Sequence, residues 1–75
     1  MNIIRTDMIV TNEEYKNMTH YLLIVKGVPL EEECKPLEIK NIQNSKFNIV
    51  IIQENNTLCF TIQYLDKIIY EKIFS

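Results

Sequence analysis

Phe47-Asn48-Ile49-Val50-Ile51-Ile52-Gln53-Glu54-Asn55-Asn56-Thr57-Leu58-Cys59-Phe60-Thr61-Ile62-Gln63-Tyr64 holds two strands and the turn between them. From Leu58 onward the residues alternate. Leu58, Phe60, Ile62 and Tyr64 project to one side and Thr57, Cys59, Thr61 and Gln63 to the other, which predicts one buried face and one wet face. Phe47 to Gln53 is β-branched and almost wholly apolar, as expected of a strand inside a sheet. Glu54-Asn55-Asn56-Thr57 suits a tight turn because asparagine tolerates positive φ.

Asp66-Lys67 is expected to turn the chain into a further strand over 68–74. Leu65, Ile68, Ile69 and Ile73 also match a helical stripe capped by Asp66. A short turn after a clean strand favours the hairpin. Upstream, Asn44-Ser45 is a turn signal, and Leu37 and Ile39 begin an alternating segment over 37–43. Pro36 closes the acidic stretch before it.

A helix start is written at Thr11-Asn12-Glu13-Glu14. Thr11 as N-cap places Glu14 at the third helical position, completing a capping box, and puts Val10 and Tyr15 at the positions of a hydrophobic staple. Tyr15, Met18, Leu22 and Val25 follow at helical spacing, and Gly27 with Pro29 supplies the stop. These signals predict one helix over 12–26. Ile3-Ile4 and Met8-Ile9-Val10, flanking Arg5-Thr6-Asp7, are compatible with a short N-terminal strand. The expected fold is thus α+β: one helix packed on an antiparallel meander of about four strands at 37–43, 46–53, 57–64 and 68–74.

Composition bounds the rest. At 75 residues the chain is expected to be a single domain, and its 47% hydrophobic content must compensate for a small core. The net charge is −2 and Arg5 is the single arginine, which disfavours a dedicated nucleic-acid surface. Residues 1–38 carry four basic and seven acidic side chains, and residues 39–75 carry four and three. No apolar run is long enough for a membrane span and no signal-peptide pattern opens the sequence. Two cysteines do not staple a secreted domain, so a cytoplasmic protein with reduced thiols is expected. Abundant Ile, Asn and Lys, with no Ala, suit an A/T-rich genome such as a low-GC bacterium or its phage.

Chemistry-bearing residues are sparse. His20 is the only histidine and has Lys16 and Ile24 as its helical neighbours, so it lacks a local acid–base partner. Cys34 follows Glu31-Glu32-Glu33, and neighbouring carboxylates disfavour a thiolate. The cysteine spacing matches no zinc pattern, and one glycine excludes a glycine-rich phosphate loop. No catalytic residue, cofactor or metal is therefore expected.

The reading that follows is a non-enzymatic protein-interaction module, such as a phage- or mobile-element-encoded inhibitor of a host protein. Its candidate contacts are the acidic run Glu31, Glu32 and Glu33, which would steer toward a basic surface, and Tyr15, Tyr21 and Tyr70 as aromatic anchors. Phe47, Ile49 and Ile51 project opposite to Val50 and Ile52, so both sides of that strand are apolar. A partner or a homodimer would close the second side. The alternatives are a small nucleic-acid-associated regulator, and an enzyme using His20 or Cys34.

Overall fold

The computed structural model describes residues 2–29 and 46–75. Six elements follow in chain order: β1 (Ile3–Thr11), α1 (Asn12–Asn17), α2 (Thr19–Ile24), β2 (Lys46–Glu54), β3 (Thr57–Tyr64) and β4 (Lys67–Phe74). The four strands form one antiparallel sheet in the order β1-β2-β3-β4. The chain divides into two compact units, one of residues 1–9 with 47–75 and one of residues 10–46. No described helix is long and apolar enough to cross a membrane.

In the first unit, β2 and β3 pair with Ile49 opposite Ile62 and Ile51 opposite Phe60. That register puts the apolar rows of both strands on one face, and Phe47, Ile49, Ile51, Phe60 and Ile62 are all buried. β4 adds antiparallel to β3, with Tyr70 opposite Ile62 and Lys72 opposite Phe60. Tyr70 meets Phe60 edge-on, ring centroids 6.1 Å apart and planes at 67°, a favoured aromatic geometry. The register shifts between Ile62 and Gln63, leaving Ile69 without a cross-strand partner on β3.

The opposite face of these strands is less wet than the alternation implies. Thr61 is buried, Cys59 and Ile52 are half-buried and Val50 is buried. Thr61 sits opposite Val50 on one side and Glu71 on the other. Its hydroxyl also lies 3.8 Å from the Cys59 thiol. The expected two-sided apolar character of β2 is therefore present.

Both hairpins form, with different turn chemistry. Asn55 takes positive φ at 53° between β2 and β3, the role expected of it. Between β3 and β4 the two-residue loop is Leu65-Asp66, φ 49° and 63°, and Lys67 already belongs to the strand. This corrects the expectation of an Asp66-Lys67 turn. Residues 67–74 are strand and not helix. The segment 37–43, expected as the first meander strand, lies outside the described residues. The fourth strand of the sheet is β1, which is nine residues long and neighbours β2.

The second unit begins on the capping box. Glu14 donates its backbone N–H to the Thr11 hydroxyl at 3.2 Å, and Thr11 donates its own to the Glu14 carboxylate at 2.9 Å. The staple positions Val10 and Tyr15 are both buried, as is Leu22. The expected single helix over 12–26 is instead two short helices that break at Met18, φ −100° and ψ 7°. The Met18 amide splits between the carbonyls of Glu14 and Tyr15, 3.0 and 3.1 Å. The Thr19 hydroxyl donates to the Lys16 carbonyl at 3.2 Å, the side-chain back-bonding that bends helices at threonine. The stop is as expected: Gly27 turns at φ 72°, and the Val28 amide folds back onto the Leu22 carbonyl at 2.9 Å.

The cap carries a prediction about acid. Hydrogen bonds from the Thr11 backbone, then from its hydroxyl, hold the Glu14 carboxyl below its ordinary value. A depressed carboxylate contributes stability above its unfolded-state pKa and loses it as pH falls through the folded one. In urea unfolding, wild type should thus exceed Glu14→Gln at neutral pH, and the gap should close in acid. Thr11→Ala should cost about 1 kcal/mol at neutral pH.

Candidate interaction surface

The turn between β3 and β4 presents the most unusual side chain in the first unit. Leu65 is 76% exposed while its backbone holds positive φ. A Cβ in the left-handed region costs roughly 1–2 kcal/mol, which is why asparagine and glycine dominate such turns. Leucine here adds backbone strain and, in the isolated chain, shields little apolar surface. On β4, Ile68, Ile69 and Ile73 are exposed as well. Asparagine tolerates the left-handed region better than leucine because its short side chain bonds the local backbone, so Leu65→Asn should stabilise by about 1 kcal/mol. A melting temperature higher by roughly 4–8 °C is the expected readout.

In the second unit, the run Tyr21-Leu22-Leu23-Ile24-Val25 is apolar all round, and only Leu22 is buried. Leu23, Ile24 and Val25 are exposed. Two six-residue helices broken at Met18 present a narrower buried stripe than one continuous helix, and Val25, expected on that stripe, lies outside it.

The residues singled out from sequence fall in different places. Tyr15 is 1% exposed and is a packing residue with no surface to offer a partner. Tyr21 is 38% exposed on α2. Tyr70 is half-buried against Phe60. Glu31, Glu32, Glu33 and Cys34 lie outside the described residues. His20 is exposed on α2, and Cys59 is a half-buried free thiol beside Thr61. Lys72 places its ammonium 5.8 Å from the centroid of the Phe74 ring, a cation–π contact at the end of β4.

A shallow, open depression of about 490 Å³ in the first unit is lined by Asn2, Ile4, Gln53 and Asn55, which bring carboxamides and no titratable side chain. Sequence reasoning missed Leu65. The signal available for it was a leucine at the junction of two strands whose pairing requires a two-residue loop. No protein-family model, no curated protein and no solved structure matches the chain.

Proposed function

We propose that this chain is a non-enzymatic protein-interaction module that anchors its partner through the β3–β4 hairpin. The observation that supports this reading is Leu65, strained and exposed at the hairpin tip. Strain kept at a position without a folding benefit is a mark of function. The adjoining Ile68 and Ile69 give the tip an apolar flank of the kind that central interface residues provide. Asp66 and Lys67 beside the tip supply opposite charges for the rim of such a contact.

Small size and an A/T-rich residue usage extend the proposal to biological role: an inhibitor of a host protein, encoded by a phage or mobile element and acting in the cytoplasm of a low-GC bacterium. Affinity capture from such a lysate, read by mass spectrometry, tests it. One dominant protein retained in nuclease-treated lysate is the expected result. Retention that vanishes on nuclease treatment, or binding to DNA or RNA that weakens steeply with salt, would instead support a nucleic-acid regulator.

A further inference from the structure

The outer strand β1 carries a charge pattern that inverts about its centre. About Thr6 the sequence runs Ile3-Ile4-Arg5-Thr6-Asp7-Met8-Ile9: two apolar residues, a cation, the centre, an anion, two apolar residues. Ile3, Arg5, Asp7 and Ile9 form one row of the strand, all of them exposed. Thr6 and Met8 on the alternate row are half-buried. Among the described residues β1 has a strand neighbour, β2, on one side. Among the described residues no strand lies on its other side, where a row of backbone donors and acceptors faces outward for a further strand.

We propose that a second copy of this chain pairs with β1 antiparallel about a two-fold axis through Thr6, joining two four-stranded sheets into one of eight. A two-fold axis perpendicular to the sheet keeps each row on its own face, so the outer row of one copy meets the outer row of the other. The symmetric register then sets Ile3 opposite the second copy's Ile9 and Arg5 opposite its Asp7, each pair occurring twice. On the alternate row Ile4 meets Met8 and Thr6 meets Thr6. Every charge faces its opposite and every large apolar residue faces another, the two kinds of cross-strand pair that favour sheet pairing.

Within one chain Arg5 already bridges Asp7 at 3.0 Å, with both side chains more than half exposed. An ion pair that open to solvent is weak, so sharing it with the second copy's pair sacrifices little. The opposite outer strand lacks this symmetry. Pairing two β4 strands along their full length, with Ile69 bulged out of each, sets Glu71 against Glu71 of the second copy, and like charges directly opposite oppose association. The inference is independent of the hairpin contact, which lies on that other strand.

Charge reversal separates this geometry from every other dimer. Wild type should sediment as a monomer–dimer equilibrium between micromolar and millimolar concentration at low ionic strength. Arg5→Asp and Asp7→Arg each place like charges opposite one another and should weaken the dimer about tenfold or more. Mixed together, these two variants should form a heterodimer, because the aspartates of one meet the arginines of the other. The double variant Arg5→Asp/Asp7→Arg restores the symmetric pattern and should dimerise like wild type. A wild-type chain monomeric throughout, a dimer indifferent to both reversals, or a folded double variant that stays monomeric would each overturn the proposal.

Discussion

Phe60→Ala is expected to lower the unfolding free energy by about 3–5 kcal/mol, the range for truncating a fully buried aromatic. Phe60 has no exposed surface, sits opposite Ile51 on β2 and Lys72 on β4, and meets the Tyr70 ring edge-on. A chain of this size has about 4–11 kcal/mol of stability in total, at the usual value per residue. The variant should therefore be substantially unfolded or have a urea midpoint shifted far below that of wild type. Tyr70→Leu keeps most of the bulk and loses the edge contact, so it should cost about 0.5–1.5 kcal/mol in packing specificity. Equal costs for the two substitutions would mean that Phe60 does not anchor the sheet.

Leu22→Ala and Leu23→Ala give the second largest effect with an internal control. The two leucines are adjacent on α2, one fully buried and the other 49% exposed. Truncating Leu22 should cost about 2–5 kcal/mol. Truncating Leu23 should stay within about 0.5 kcal/mol of wild type, since alanine is also the better helix former. Urea titration of both proteins measures the difference directly. A large loss at Leu23 would mean that the exposed side of α2 is covered in solution.

Strands β2 and β3, and the turn between them, were legible because their pairing follows local rules. Alternation in 57–64 sets the register, and Asn55 accepts the backbone the turn needs. The capping box was equally legible, since Thr11 and Glu14 interact across three residues and depend on nothing distant. The break at Met18 was not. A threonine hydroxyl bonds the Lys16 carbonyl at that break, and threonine is common enough in helices to give no warning.

The extent of β1 was obscured by its polar centre. Arg5 and Asp7 interrupt the apolar run, yet both lie on the exposed row, where charge is well tolerated. The β3–β4 turn went to Leu65-Asp66 because Tyr64 pairs with Lys67, so the ladder chose the loop residues over their own turn preferences. That override is why the candidate surface was hard to foresee. Tyr21 is exposed, Tyr15 lies in the core, and an exposed leucine with positive φ sits at the hairpin tip.

Leu65→Asn sharpens the functional proposal because it moves stability and binding in opposite directions. The substitution removes strain from the turn while deleting the apolar tip. Titration of the captured partner into wild type and into Leu65→Asn, with melting temperatures of both free proteins, is the most direct test. A variant that melts higher than wild type and binds at least about tenfold more weakly is the predicted result. A variant that melts higher and binds as tightly would show that the hairpin tip takes no part in recognition.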